Sequence, residues 1–280
     1  MRVAENEEEF EEKFRTAQLE SIKGFGDNTM YMERYIRNPK HIEFQILADK
    51  FGHVIHLGER DCSIQRNHQK VIEESPCAVL SEELRRKMGT AAVHAAKAAG
   101  YENAGTVEFL LDENKEFYFI EMNTRIQVEH PVTEMVSGID LIRQQIYIAA
   151  GLPLNIRQED IVLRGHAIEC RINAENPKKH FMPCPGTISE VHLPGGFGVR
   201  IDSAVYSGYE IPPYYDSMIA KVIVHDRTRE SAIDKMRSTL GELVLGGVTT
   251  NLDFQYEILN NERFQKGEFT TSFIEDEFHL

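Results

Sequence analysis

Between residues 6 and 24, Phe10, Phe14, Ala17 and Ile22 recur at helical intervals in a charged stretch, which predicts an exposed amphipathic helix serving as a lid or edge piece. Asn6 is placed to cap it, and Glu7, Glu8 and Glu9 suit the positive end of its dipole. The period then falls to two. Residues 30–36 and 41–48 read as strands, the second returning through Asp49-Lys50-Phe51-Gly52 into a partner at 53–58. Ser81 caps a helix running to about Ala99, with Gly100 as its stop. Strands follow at 105–111 and 116–123 around the turn Asp112-Glu113-Asn114-Lys115, then a helix at 138–150. Residues 164–174, 187–192 and 218–224 have strand character, and 229–245 returns to the helical period. Pro and Gly clusters at 182–186, 194–196 and 212–213 mark loops. The pattern predicts an α+β fold with a mainly antiparallel sheet.

A chain of 280 residues, 41% hydrophobic, is long enough to bury a substantial core. No apolar run approaches the roughly 20 residues that span a bilayer, and the acidic start argues against a signal peptide, so the expected address is the cytoplasm, without a membrane partner. The formal net charge of -14 disfavours nucleic acid, whose phosphates need clustered Lys and Arg. Cys62, Cys77, Cys170 and Cys184 are scattered without metal-ligand spacing, so reduced thiols are expected.

The stretch Glu121-Met122-Asn123-Thr124-Arg125-Ile126-Gln127-Val128-Glu129 carries the candidate chemistry. If extended throughout, it places all its odd-numbered polar groups on one face. Glu121 and Asn123 are hard oxygen ligands two residues apart, and Glu108 could meet them across a hairpin, a set that magnesium accepts. Arg125 is a planar donor suited to a carboxylate, bicarbonate or phosphate, with Gln127 and Glu129 beyond it. Glu108 and Glu121 could equally form a surface pair bridged by Lys115 or solvent.

Longer motifs narrow the choice. Gly58-Glu59-Arg60-Asp61-Cys62-Ser63-Ile64-Gln65-Arg66-Asn67-His68-Gln69-Lys70 closely resembles the biotin carboxylase family, and so does the run from Phe119 through Glu129 to Glu134. Further likeness lies in Arg164-Gly165-His166-Ala167-Ile168-Glu169-Cys170-Arg171, in Pro194-Gly195-Gly196-Phe197-Gly198-Val199-Arg200 and in Pro212-Pro213-Tyr214-Tyr215-Asp216. Asn67 stands where the family usually has arginine.

The resemblance implies a partial ATP-grasp fold followed by a biotin carboxylase C-terminal subdomain. Residues 1–34 would be a remnant of the lid, 35–160 the catalytic region and 161–280 the C-terminal subdomain. It implies a ligase that forms carboxyphosphate from ATP and bicarbonate and carboxylates biotin. Glu33, Arg34, Tyr35, Ile36, His41, Gln65, His68, Glu108, Leu110 and Glu121 would then contact ATP. Glu108, Glu121 and Asn123 would hold Mg2+ or Mn2+, while Lys70, Arg125, Gln127 and the backbone of Val128 would hold bicarbonate. Glu129 would be the general base, with Lys70 and Arg125 also in the catalytic set, and Arg200 would stabilise the biotin enolate.

The same resemblance implies a homodimer that works with a biotin carboxyl carrier protein and carboxyltransferase subunits, most closely those of bacterial acetyl-CoA carboxylase in fatty acid synthesis. Met1-Arg2-Val3 resembles the sequence just after the family's Gly-rich loop, so a truncated and impaired enzyme is expected. A carboxylase for pyruvate or another acyl-CoA, a carbamoyl-phosphate synthetase and a non-catalytic scaffold are the alternatives.

Overall fold

A computed structural model describes residues 2–279, and the chain separates into two compact units, Met1–Arg37 and Asn38–Leu280. The first is built around helix α1 (Glu7–Phe25), whose Asn6 side chain accepts from the Glu9 amide and whose end is closed by Gly26 in the left-handed conformation. The strand expected at 30–36 does not form. These residues are irregular, with Tyr31, Met32 and Tyr35 exposed, because an extended segment needs a neighbouring edge for its backbone groups and this unit has no strand among its described residues.

The second unit is organised on one eight-stranded antiparallel sheet. Its strands are β1 (Lys40–Ala48), β2 (Val54–Arg66), β3 (Gln69–Ser75), β4 (Asn103–Leu111), β5 (Phe117–Asn123), β6 (His166–Asn173), β7 (Val199–Ser203) and β8 (Met218–Asp226). They lie in the order β7-β8-β6-β3-β2-β1-β4-β5. Because β3 pairs with β6, the sheet runs unbroken through the 160/161 boundary expected from sequence. Three two-stranded ribbons, including Gly186–Thr187 with Glu210–Ile211, lie beside it.

Helices α2 (Glu82–Ala98), α3 (His130–Ser137), α4 (Leu141–Ala149), α5 (Arg229–Glu242), α6 (Leu252–Asn260), α7 (Glu262–Lys266) and α8 (Phe273–Phe278) cover the sheet. The helix expected at 138–150 forms as α4, and α3, which the sequence did not predict, precedes it. Gly138, at φ 72, caps the end of α3, and the Asp140 side chain starts α4 by accepting from the Arg143 amide.

The two faces of the sheet differ in kind. Ile42, Phe44 and Ile46 of β1 pack with Val107 and Phe109 of β4 and with Met88, Ala92 and Ala96 of α2. Ile168, Cys170, Ile172, Val222 and Val224 pack against α5 and α6 in the same way. The alternate positions, pointing to the other face, carry Glu43, Arg60, Glu73, Glu108, Glu169, Arg171 and Lys221. Period two therefore sets a charged row across a sheet whose opposite face is mainly apolar, with Glu59, Asp61 and Glu74 buried there in ion pairs.

β2 runs on through Gly58, which takes φ +83 at a register shift and so permits the bend that keeps the strand going past the expected end at 58. Asn67 and His68 turn β2 into β3 with positive φ, a backbone that asparagine adopts more readily than most residues. Gly165, entering β6, has φ +67, and a Cβ there would lie 2.2 Å from the Asp226 carbonyl oxygen. Gly165→Ala is expected to lower stability by about 1–2 kcal/mol from backbone conformation alone, and by more once that contact is relieved, read as a fall in Tm.

Candidate active site

The charged row converges on Lys70. Its Nζ lies 2.5 Å from Glu43 Oε2, 2.5 Å from Glu129 Oε1 and 3.3 Å from Glu108 Oε1. Burial alone would push the Lys70 ammonium towards neutrality, but Glu43, Glu129 and Glu108 outweigh it and raise its pKa, so the group is firmly cationic. The same contest acts on Glu43: burial favours the acid, Lys70 and Arg60 favour the carboxylate, and its pKa falls to about 2.

Beneath it lies Arg60, 0% exposed. Nε donates to Glu43 at 2.6 Å, Nη1 to Gln45 and Thr133 at 2.8 and 3.0 Å, and Nη2 to Thr106 and Gln127 at 3.1 and 2.9 Å. Every N–H of the guanidinium is thus satisfied, the condition under which a buried cation is tolerated. Gln127 in turn donates to Glu108 Oε1 at 2.7 Å. Arg60 thereby orients Gln127, and Gln127 helps to fix Glu108.

Glu129 meets two cations: Oε1 takes Lys70, and Oε2 accepts from Arg171 Nη2 at 3.0 Å. Arg171 comes from β6, which places the guanidinium beside a carboxylate 42 residues earlier in the chain. Glu43, Arg60 and Arg171 were not singled out by the sequence reasoning; Glu43 and Arg171 stand at alternate positions among apolar residues, a pattern that could have found them, whereas Arg60 lies between Glu59 and Asp61.

The hairpin prediction holds. Glu108 and Glu121 face each other in the β4–β5 register, and Asn123 Nδ2 donates to Glu108 Oε1 at 2.9 Å and Glu121 Oε1 at 3.0 Å. Two carboxylate oxygens thus converge on one point. A divalent cation fits this donor set, and a half-turn of the Asn123 amide would offer it a third oxygen. His41, Glu43 and Glu108 also bring ligand atoms within 4.8 Å of one another, but Glu43 is committed to Arg60 and Lys70. His41 Nε2 lies 2.8 Å from Glu108 Oε2, and Gln65 Nε2 stands 2.8 Å from His41 Nδ1. Despite burial, the neighbouring His41 and Lys70 hold the Glu108 pKa down at about 2.

The expected single extended line from 121 to 129 is contradicted. β5 ends at Asn123, and residues 124–129 form an irregular turn into α3. Arg125 is exposed there, donating to the Ile126 carbonyl at 3.1 Å, whereas Glu129 is carried inward. Pro131, at the first turn of α3, favours ending the strand and starting the helix.

The Val128 carbonyl accepts from Lys221 Nζ at 2.8 Å. Arg200 is bound bidentately to Asp202 at 2.8 and 2.9 Å and to Glu134 at 2.6 Å. Arg171, rather than Arg200, is therefore the guanidinium bonded to Glu129. His68 is exposed in the β2–β3 turn, and Leu110, partly buried, lies opposite His41 and Tyr118. Glu33, Arg34, Tyr35 and Ile36 belong to the first unit.

The comparisons with known proteins agree with this layout. Residues 1–157 match the family model for the carbamoyl-phosphate synthase L chain, ATP binding domain, and residues 169–276 match the biotin carboxylase C-terminal domain. The chain belongs to the biotin carboxylase family. It is 56% identical over 276 residues to biotin carboxylase 1 of Bacillus subtilis, covering 98% of this chain and 61% of that protein. A pyruvate carboxylase subunit of Methanothermobacter thermautotrophicus is 53% identical, covering 99% of this chain and 56% of the relative.

Among solved structures, the biotin carboxylase domain dimer of Hydrogenobacter thermophilus 2-oxoglutarate carboxylase, in complex with MgADP, ADP and bicarbonate, superposes with a TM-score of 0.93 at 52% identity. That match covers 99% of this chain and 61% of the other. The chain thus spans about three-fifths of the length of these biotin carboxylase relatives, and its sheet is that of an ATP-grasp ligase fold.

Proposed function

We propose that the protein carrying this chain carboxylates biotin, using ATP and bicarbonate and passing through carboxyphosphate. The observation that carries this reading is Glu129 held between Lys70 and Arg171 beside the Glu108–Glu121–Asn123 oxygen set. Cations on both oxygens hold the Glu129 side chain in place, and a bound bicarbonate would compete for those same cations. Displacing Lys70 or Arg171 toward the anion frees a Glu129 oxygen to take the bicarbonate proton, which leaves the bicarbonate oxygen able to attack the γ-phosphate.

A divalent cation at Glu108, Glu121 and Asn123 would supply charge neutralisation of the nucleotide phosphates. Gln127, pinned by Arg60, keeps Glu108 aimed at that position while Lys70 carries positive charge to the adjoining anion. After phosphoryl transfer, Arg171 stands beside the proton acceptor with a planar donor edge, suited to a developing oxyanion on biotin. Arg200, tied to Asp202 and Glu134, supports the neighbouring β7–β8 edge in this reading.

In the same proposal biotin arrives on a carrier protein, the chain pairs as a homodimer in the cytoplasm, and a separate carboxyltransferase selects the final acceptor. Acetyl-CoA, in fatty acid synthesis, is the acceptor proposed; pyruvate and 2-oxoglutarate are the alternatives suggested by the relatives' names. The decisive assay uses the full-length protein, labelled bicarbonate and biotin. Bicarbonate-dependent ATP hydrolysis with label in biotin supports the reading, and carbamoyl formation with ammonia instead refutes it.

Glu121→Gln removes one charged oxygen donor while leaving Lys70 its partners. It is expected to raise the Mg2+ concentration for half-maximal ATP hydrolysis by roughly 10–100-fold. Mn2+ binding followed by electron paramagnetic resonance should weaken in parallel.

A further inference from the structure

Behind Glu129 the charged row contains two carboxyl groups that the proposed chemistry does not use. Glu73 of β3 and Glu169 of β6 are direct cross-strand neighbours, and both are 0% exposed. Glu73 Oε1 accepts from Arg171 at 2.6 Å. Glu73 Oε2 and both Glu169 oxygens have no hydrogen-bond partner among the described residues.

The charged groups acting on this pair are Arg171 on β6, Lys70 on β3, Lys221 on β8 and Glu129 ahead of α3, while α3, which packs on β3 and β6, carries His130 and Glu134. Lys70 is engaged by Glu43, Glu108 and Glu129, Lys221 by Val128 and Asp202, and Glu134 by Arg200. Among the described residues Arg171 alone bonds to the pair, and it is already shared with Glu129.

Two ionised carboxylates at adjacent positions, with three bare oxygens and half a guanidinium between them, would be strongly unfavourable away from water. One proton on the pair removes that conflict, because a protonated carboxyl can donate to a bare oxygen and the remaining single charge matches Arg171. We infer that Glu73 and Glu169 act as one buried acid holding a single proton at neutral pH, and that this proton positions Glu129 by leaving Arg171 shared between Glu73 and Glu129. This rests on the proposed role of Glu129 only in its consequence for turnover.

The electrostatic environment points the same way. Burial, with Glu129 adding to it and Arg171 opposing it, lifts the Glu73 pKa to about 7. Burial and the neighbouring Glu73 raise that of Glu169 well above the ordinary carboxyl range. On the alkaline side the pair loses its proton, its second charge draws Arg171 off Glu129, and turnover falls.

Glu169→Gln keeps the shape of the protonated acid but cannot lose a proton. In the full-length protein, infrared difference spectra are expected to contain a protonated-carboxyl band at neutral pH that E169Q lacks. The alkaline limb of bicarbonate-dependent ATP hydrolysis should move up by about one pH unit or more in E169Q, with the KM for ATP unchanged. The folded acid binds its proton more tightly than the unfolded one, so wild-type stability falls as pH rises above the unfolded carboxyl value. The Tm advantage of E169Q should therefore grow with pH.

A wild-type protein without the carboxyl band, or an E169Q alkaline limb coincident with wild type, overturns the inference. If ATP hydrolysis is absent altogether, the proposed function fails. The inference is then decided by the infrared band and by nitrogen NMR of the Arg171 side chain, which should change with pH in wild type but not in E169Q. Glu169→Met, apolar and of similar length, provides the same comparison should the glutamine variant not fold.

Discussion

Glu129→Gln is expected to lower bicarbonate-dependent ATP hydrolysis by roughly 10²–10⁴-fold, the range associated with removal of a positioned general base. The size follows from geometry: Glu129 is the only carboxylate among the described residues bonded to both Lys70 and Arg171. A carboxamide presents one acceptor oxygen to two cations and cannot take a proton at neutral pH. The variant should still bind nucleotide and Mg2+, whose proposed ligands are untouched. Nucleotide affinity is measured by calorimetry beside the rate; if the rate stays within a few-fold of wild type, Glu129 is not the base.

Arg60→Ala is expected to be the most damaging single change to stability. It strands Glu43, fully buried, with one of its two cations gone, and leaves Gln45, Thr106, Thr133 and Gln127 without their common donor. Breaking one side of a buried ion pair costs about 3–5 kcal/mol, which for a domain of this size lowers Tm by roughly 6–20 °C. Arg60→Lys should recover only part of the loss, since an ammonium has three donors and lacks the planar fork that reaches four side chains beyond Glu43. Thermal unfolding of the three proteins checks this, and a lysine variant as stable as wild type would show that charge alone matters.

Much of the architecture was legible because the local pattern and the tertiary environment agree. Ile42, Phe44 and Ile46 alternate with His41, Glu43 and Gln45, so β1 could be read and its faces assigned. α2 is bounded by Ser81 and Gly100, and α5 begins at a Thr228 cap. β3 was not anticipated, because Lys70, Glu73 and Glu74 interrupt the apolar pattern of a short segment. In the sheet, Glu73 turns to Arg171 on one face, while Glu74 turns to Arg229 and His166 on the other. A central strand can carry such charges only when partners from distant segments neutralise them, and those partners are invisible in a local window. The three C-terminal helices were likewise not anticipated, being short and stabilised by packing against the β6–β8 core rather than by a long repeat.

The sequence by itself determined the family, through long motifs, and the meeting of Glu108 with Glu121, because a hairpin of known turn brings fixed positions into register. Only the tertiary structure decided that Glu129 enters the site from a turn rather than along a strand, and that Arg171 holds it. The physical reason is range. Strand alternation and turn geometry act over a few residues, whereas the balance of buried charge is set by contacts between strands far apart in the chain, and each buried ion settles wherever the completed sheet supplies its partner.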